Sequence, residues 1–453
     1  MRPSGHPWFL FFASALCLSA TTATSALAQG AKGGAPADDG AKQKPADAPA
    51  DEPKPADSGA KSDTGTPDDR ASADKNAADP KAKAAETADK SKAIDADPKA
   101  RKPLPEYLKL VLGPLTFAPI VLLQTQILPY VGKNSFSLSG DPADSAGFRL
   151  QRARFGLEVN LANQAKGRVS VELGSREDGS ARIHDAWLAY IGTPYAQAFV
   201  GAQTVPFSRS EMIDSSGTAL ADRPLAVRSM APGQQVGIVG HGAIGENLFT
   251  YDLGLFNGFN RADQFYQGYS QNYAPIGNRF NGLAYVIRLG TEPVKKLGAT
   301  VADPTHESPR FGIGADYYYS DGGARGIHTA GVDALVHVVG FHFLGEFLFS
   351  DVVPKSTPTK PTSTVTNIKT LGFVAETGYM IVRNLFGLNA RFEFIDPNTS
   401  VDDEGDVFLI GGGPSFQFLD GMVKTEAEYM HREERHGTSL QNDYVLLQGQ
   451  LAL

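Results

Sequence analysis

Apolar and polar side chains alternate with a period of two through most of the chain beyond residue 120. Around residue 315, for example, Phe311, Ile313 and Tyr317 share one parity, while Gly312 and Asp316 lie on the other. This period predicts β-strands with one apolar face rather than amphipathic helices. Sixteen strands are predicted, and most have about ten residues, the length that a tilted strand needs to cross a bilayer. They lie near residues 120–131, 148–161, 167–174, 182–191, 196–206, 234–241, 247–257, 279–290, 309–320, 326–338, 340–351, 367–381, 385–395, 405–418, 420–431 and 441–453.

The connections between these strands alternate between long and short. The odd-numbered connections include long polar segments at 132–147, 207–233, 258–278, 352–366, 396–404 and 432–440. The even-numbered ones include short segments at 162–166, 192–195 and 242–246 and tighter turns at 339–340, 382–384 and 420. Long external loops and short periplasmic turns are typical of outer-membrane barrels. The link 291–309 is an exception, because it is long on the short side.

A closed barrel is the β-structure that lipid permits, since every backbone N–H and C=O group must find a partner. Beyond the N-terminus, no apolar run reaches the roughly 18 residues of a membrane helix, which excludes a helical membrane protein. The predicted fold class is therefore all-β, a sixteen-stranded antiparallel transmembrane β-barrel over residues 104–453, preceded by a disordered N-terminal segment.

The N-terminal region has two parts with different compositions. Arg2, the apolar stretch 8–20 and the small-x-small pattern at 26–28 predict a signal peptide over residues 1–28. Residues 29–103 consist mainly of Ala, Asp, Lys, Pro and Gly, so they offer little apolar surface to bury and are predicted to be disordered. This segment is either an inert periplasmic linker or a spacer that tethers the barrel.

Charge and cysteine content narrow the function classes. Residues 1–103 hold 15 basic and 15 acidic side chains, so the net charge of −8 falls on the barrel, which argues against a duplex-DNA binder. The single cysteine, Cys17, lies in the predicted signal peptide, so the mature chain has no disulfide framework and no cysteine-based zinc site. No cofactor, metal or nucleic-acid partner is predicted.

Signatures of catalysis do not stand out. The histidines are not at the spacing of a zincin pair and have no serine partner at a recognised spacing; they include His184, His337, His342, His431 and His436. The acidic run Asp402, Asp403, Glu404 and Asp406 either binds Ca²⁺ or forms a solvated loop. The chain is thus not predicted to be an enzyme, although an outer-membrane β-barrel hydrolase stays as a lesser alternative.

Four runs in the first half of the barrel resemble a known family. They are Phe148–Glu158, Val200–Arg209, Ala231–Ile238 and Tyr251–Gly258. Together, within residues 120–290, they are similar to the phosphate-selective porin O/P family in the same order. The resemblance implies a sixteen-stranded, trimeric outer-membrane channel that often prefers anions. The third external loop departs from a dedicated phosphate site, because it carries arginines but no lysine.

The parity opposite the apolar face predicts which charges line the pore. Six cations are placed there, namely Arg152, Arg154, Arg168, Arg288, Arg391 and Lys424, together with eight carboxylates, namely Glu158, Glu172, Asp316, Glu346, Glu376, Glu393, Glu426 and Glu428. The charges at the narrowest part of the pore determine its ion preference, and the total numbers of lumenal cations and carboxylates do not. Arg152, Arg154 and Arg168 either form a basic stripe or pair with Glu158 and Glu172. The segment 208–234, with Arg209, Arg223 and Arg228, is predicted to fold into the lumen and narrow it.

The function predicted from these features is passive diffusion of small hydrophilic solutes, with a modest preference for anions such as phosphate. The alternative is a general or cation-preferring diffusion porin. The expected location is the outer membrane of a Gram-negative-type bacterium, with contact to lipid, a homotrimeric state and the N-terminal tail in the periplasm.

Overall fold

The structure is a computed structural model, and it describes residues 108–132, 146–173, 181–245, 248–258, 282–321, 325–355, 367–419 and 421–453. All of these belong to the unit Glu86–Leu453. The predicted signal peptide and the predicted disordered segment lie outside the described residues. So do most of the external loops 132–147, 258–278 and 352–366.

The described residues form seventeen strands and two short helices. The strands are β1 Leu110–Leu112, β2 Leu115–Val131, β3 Gly147–Leu161, β4 Ala165–Glu172, β5 Arg182–Tyr190, β6 Gln197–Thr204, β7 Gln234–Ile244, β8 Phe249–Asn257, β9 Leu283–Thr291, β10 Arg310–Asp321, β11 Arg325–Val338, β12 Phe341–Pro354, β13 Ile368–Val382, β14 Phe386–Asp396, β15 Val407–Phe418, β16 Val423–Glu434 and β17 Tyr444–Ala452. The helices are α1 Arg209–Met212 and α2 Leu225–Met230.

Strands β2 to β17 close into one antiparallel ring. Each pairs with its neighbour in the chain, and β17 pairs back onto β2 with Gln448 opposite Gln126. The predicted sixteen-stranded barrel is confirmed, with each strand close to its predicted position. The three-residue β1, which pairs with the start of β2, was not predicted. No helix in the described part of the chain is long and apolar enough to cross a membrane.

The two faces of the barrel wall differ in polarity as the alternation predicts. Outward positions such as Leu188, Ile238 and Leu253 are exposed, while inward Asp316 and Glu346 are buried. A wall that is apolar outside and polar inside is the reverse of a soluble protein and suits a lipid surround.

The connection between β6 and β7, residues 205–233 and here called L3, contains both helices. Val205 and Phe207 at its entrance are fully buried. Helix α2 packs Leu225, Val227 and Met230 into an apolar cluster with inward residues of the wall. The wall side of this cluster includes Leu348, Val374 and Ile395, from β12, β13 and β14. An apolar patch on an otherwise polar inner wall thus anchors L3.

The long link that breaks the long–short rhythm also turns inward. Residues 292–309, here called the inward segment, join β9 to β10 at the end of the barrel opposite to the L3 entrance. Leu297, Val301 and Ala302 are buried in a second apolar cluster that contains Ile213 and Ala219 of L3. The segment is long because it extends into the barrel.

Candidate pore constriction

L3 contacts strands on widely separated parts of the barrel circumference. Gln124 Nε2 on β2 donates to the Ser215 carbonyl (3.1 Å), and Lys424 Nζ on β16 donates to the Thr218 carbonyl (2.8 Å). On the β10–β12 side, the Ser210 N–H donates to Glu346 (2.9 Å). In a closed barrel, one loop can reach these different strands only from within. L3 therefore crosses the barrel interior.

The three arginines predicted to form a basic stripe face L3. Arg154 Nη1 lies 3.3 Å and Arg168 Nη2 lies 3.7 Å from the Asp214 carboxylate. Arg152 Nη1 lies 3.9 Å from Asp222. The stripe thus exists as a row on β3 and β4, but carboxylates of L3 lie against it.

The barrel wall supplies further partners for the stripe. Arg154 Nε is 3.2 Å from Glu172, as the ion-pair alternative expects, and Arg168 Nε is 3.0 Å from Asp185. Glu158 does not join them, because it pairs with Lys166 instead (2.8 Å). The expectation that Glu158 pairs with the stripe is wrong. Arg168 lies opposite Glu158 in the β3–β4 ladder, but its guanidinium contacts Asp185 and Asp214 instead.

Asp222 is the carboxylate at the centre of the contact between L3 and the arginines of β3. It binds Arg149 Nη2 (3.2 Å) and accepts from Gln151 Nε2 (2.9 Å) in addition to its contact with Arg152. Burial raises the pKa of the Asp222 carboxyl, but the guanidiniums of Arg149, Arg228 and Arg152 offset this, and its pKa lies below the usual value. Asp222 is therefore held as a carboxylate.

Arg149 is a member of the site that strict alternation does not predict. The ladder between β2 and β3 shifts register between Gln124 and Thr125, which lie opposite Arg152 and Leu150. A β-bulge inverts the parity of the residues before it. Arg149 therefore shares the inner face with Arg152, although one is odd-numbered and the other even-numbered.

The remaining predicted lumenal cations are held in ion pairs on the wall. Arg288 pairs with Asp316 and with Asp333, the latter at 2.5 Å. Arg391 Nε lies 2.7 Å from Glu376 and its Nη1 lies 3.3 Å from Glu393. Both arginines are largely buried, with carboxylates close around them.

Lys424 belongs to a part of the barrel wall that is rich in glutamates, formed by β13, β14 and β16 and here called the acidic wall. Its Nζ is 3.1 Å from Glu426, and the neighbouring Glu428 accepts from the Ala221 N–H of L3 (3.1 Å). Four glutamates are buried on β13, β14 and β16, namely Glu376, Glu393, Glu426 and Glu428. Arg391 and Lys424 lie beside them, and the charge of Arg228 acts on Glu393 as well. The lumen thus has a row of arginines on β3 and β4 and a cluster of glutamates on the acidic wall, and L3 contacts both.

The three arginines of L3 have different roles. Arg209 Nε binds Asp333 on the wall (2.7 Å). Arg223 donates to backbone carbonyls of L3 itself, including that of Ile213 (2.6 Å), and so holds the loop together. Arg228 lies in α2, where its charge acts on Asp222. Their part in a constriction stays a prediction.

The histidines and the acidic run occupy other places. His337 is buried and its Nε2 contacts the Val301 carbonyl (2.8 Å). His184 lies beside Asp185 (3.1 Å). Asp402 and Asp406 of the acidic run meet His436 of the next external loop, with Nε2 3.5 and 3.8 Å from their carboxylates. That cluster joins two loops at the rim, away from L3.

Comparisons with known proteins agree with this architecture. A model of the family described as phosphate-selective porin O and P matches residues 135–306, less than half of the chain. The outer-membrane channel DcaP of Acinetobacter baumannii superposes with a TM-score of 0.52 at 12% identity, over 76% of this chain and 99% of that one. A loop-deletion mutant of OmpT, an outer-membrane protein of Vibrio cholerae, gives 0.50 at 12% identity, over 75% and 100%. At these identities the structures share the fold alone. No protein of curated function matches the sequence.

The resemblance inferred from the sequence is confirmed: this sixteen-stranded barrel matches the phosphate-selective porin O and P family through residues 135–306, which contain the arginine stripe and L3.

Proposed function

We propose that the protein is an outer-membrane channel for passive diffusion of small hydrophilic solutes, with a modest preference for anions such as phosphate. The observation that supports this most directly is the closed barrel crossed by L3 against a row of arginines on β3 and β4. A sixteen-stranded barrel is wide enough for an aqueous channel, so an inserted loop sets its bore. Guanidinium groups stay charged at every physiological pH and bind phosphate-like oxygens in a bidentate manner.

The charge balance beside the stripe limits this preference. Four guanidiniums, on Arg149, Arg152, Arg154 and Arg168, lie against four carboxylates, on Asp214, Asp222, Glu172 and Asp185. The row is therefore close to neutral as a whole. In the part of the chain that the structure describes, Arg152 contacts Gln124 and Asp222 through Nη1 alone, whereas a guanidinium offers five N–H donors. Donors on Arg152 thus remain for a passing anion.

A general or cation-preferring porin is the second candidate. The four glutamates of the acidic wall outnumber the cations beside them, Arg391, Lys424 and Arg228, and rings of carboxylates favour cations. The two candidates differ in which wall the permeating ions follow past L3.

Reversal potentials across a salt gradient, measured on purified protein in a planar bilayer, test the proposal. The wild-type channel is expected to prefer chloride over potassium modestly, with phosphate partly blocking the chloride current. Replacing Arg152 and Arg154 together by Ala should shift the reversal potential toward cations and weaken the phosphate block. Lys166→Ala is the matched control, because Lys166 is a cation that pairs with Glu158 away from L3.

Three outcomes would redirect the assignment. A cation-selective wild type, or a double variant with an unmoved reversal potential, would establish the general porin instead. Lipid hydrolysis by a protein that does not conduct would establish the hydrolase.

The location and assembly belong to the same proposal. We place the barrel in the outer membrane of a Gram-negative-type bacterium as a homotrimer, with the N-terminal tail in the periplasm. The family match and the lipid-suited outer face support this. Membrane fractionation and a heat-sensitive trimer band on electrophoresis check it.

A further inference from the structure

The inward segment, residues 292–309, extends into the barrel from the end opposite to the L3 entrance. The other described connections at that end are short, such as 162–164 and 339–340. Within the segment, Leu297 and Val301 are 2% and 3% exposed, although they belong to a connection and not to a strand. Burial of this kind requires that the segment pack against the inside of the molecule.

Its innermost part meets the underside of L3. The Val301 N–H donates to the Gly217 carbonyl (2.9 Å), and Leu297 and Val301 share an apolar cluster with Ile213. The Glu292 carboxylate lies 3.4 Å from Arg209 Nη1 at the base of α1. Two connections from opposite ends of the barrel therefore touch each other inside it.

The wall holds the inward segment in place. Asp303 accepts from the Gly340 N–H in the β11–β12 turn (2.8 Å) and pairs with Arg310 (2.8 Å). The Pro304 carbonyl accepts from the Asn384 N–H in the β13–β14 turn (2.9 Å). The segment is thus tied to two neighbouring turns, so it can act as a fixed support.

The supported stretch of L3 contains a charge that matters for selectivity. Residues 213–219 include Asp214, which lies between Arg154 and Arg168 of the stripe. The inward segment contacts Ile213 and Gly217, one residue before and three residues after Asp214. A change in this support would therefore move the carboxylate that covers the arginines.

We propose that the inward segment is a second constriction element, which holds residues 213–219 of L3 in place and thereby sets both the bore and the screening of the arginine stripe by Asp214. This inference rests on the proposed channel function. L3 alone then does not determine the aperture, because its lower side rests on a support from the other end of the barrel.

Gly217→Ala is the sharpest test, because a Cβ at Gly217 would overlap the Ala299 carbonyl oxygen of the inward segment. The variant separates the two elements while it keeps every charge. Pore diameter and lining charge determine conduction, so single-channel conductance should rise about twofold. The reversal potential should shift in the direction of greater anion selectivity. Gly147→Ala is the control, because a Cβ there meets nothing within 4 Å.

Leu297→Ala is the second variant, because it shrinks the support without a clash and serves if the glycine variant fails to assemble. In the Leu297→Ala variant, amide hydrogen exchange in residues 213–219 should be faster than in the wild type. This measurement does not depend on the channel current. Val294→Ala, on an exposed side chain of the same segment, is its control.

Unchanged conductance in a folded Gly217→Ala barrel, or unchanged exchange in Leu297→Ala, would overturn the inference. A wild-type barrel that conducts no ions would instead refute the proposed function. In that case the exchange experiment still decides whether the inward segment supports L3.

Discussion

At the scale of single residues, Asp222 links the arginines of β3 to the acidic wall. Its carboxylate contacts Arg149 (3.2 Å) and Arg152 (3.9 Å), while its carbonyl accepts from Arg391 Nη2 on the acidic wall (2.6 Å). Alternation along strands predicts inward positions of the wall, but it does not describe which loop residue comes to face them. Arg152 on β3 was accordingly predicted, whereas Asp222, its partner on L3, was not.

Removing the charge of Asp222 should strengthen anion preference. Asp222→Asn leaves Arg149 and Arg152 without their shared carboxylate, so the ratio of anion to cation permeability should rise roughly twofold. Reversal potentials measure the change. Asp402→Asn at the exposed rim is the control, since screening at physiological ionic strength acts over about 8 Å. Equal shifts in both variants would mean that net charge, and not this contact, governs selectivity.

The contact that Asp406 makes between two external loops is expected to depend on pH. Burial, and then the neighbouring carboxylates of Asp396 and Asp403, raise the pKa of Asp406 to about 6. Its carbonyl accepts from the Arg435 N–H (2.7 Å), which joins the loops. A carboxyl whose pKa is raised on folding contributes stability at low pH, and that contribution is lost as the pH rises through about 6.

Hydrogen exchange of residues 435–438 in Asp406→Asn and wild type checks this. At pH 7.5 the variant should be the better protected of the two, and at pH 5 the difference should shrink. His436 Nε2 lies 3.8 Å from the same carboxylate, so His436→Gln is tested alongside. A difference that stays constant with pH would contradict the prediction.

At the scale of elements, Gly372 on β13 makes room for helix α2. A Cβ at this position would lie 2.9 Å from Met230 Sδ and 3.0 Å from Ala226 Cβ. Gly372→Val should therefore displace α2 at a cost of about 1–3 kcal/mol, typical of overpacking, while the outer face and the ladder stay intact. Single-channel recordings should show altered conductance with greater current noise.

Gly240→Val is the matched control for this variant, because the nearest atom to a Cβ there is 3.9 Å away. If Gly372→Val assembled normally and conducted like Gly240→Val, α2 would not position L3.

The elements themselves were predictable where one physical rule governs them. Along each barrel strand, successive side chains point in turn to the inside and to the outside. The sixteen strands could therefore be predicted from the period of the apolar residues. The inward segment has no such period, because Leu297, Val301 and Ala302 pack from an irregular backbone. Its length was the signal in the sequence, but length does not specify direction.

At the scale of the whole molecule, the described strands that form the barrel ring all lie beyond residue 103. The ring is completed by β17 on β2, where Gln124 Nε2 donates to Gln450 (2.7 Å). A chain that begins at Lys102 behind a foreign signal peptide should therefore insert and conduct as the full chain does. A shift in electrophoretic mobility on heating and planar-bilayer recordings measure the two properties.

A chain that begins at Ile120 is the control for this truncation. It loses β1 and the first residues of β2, including Leu115, which pairs with Leu161. That barrel should unfold at a lower temperature. An exported Lys102 variant that stays unfolded would show that the tail takes part in assembly.

The closure of β17 onto β2 also determines the order in which the parts can form. L3 is bound by Gln124, Lys424 and Gln450, and the last two lie 206 and 234 residues away in sequence from their L3 partners. Contacts between residues so far apart in the chain form late, because the intervening loop must first be closed. L3 therefore reaches its final place only once β16 and β17 have joined the barrel. Closure of the barrel and placement of L3 are thus linked, because β17 takes part in both.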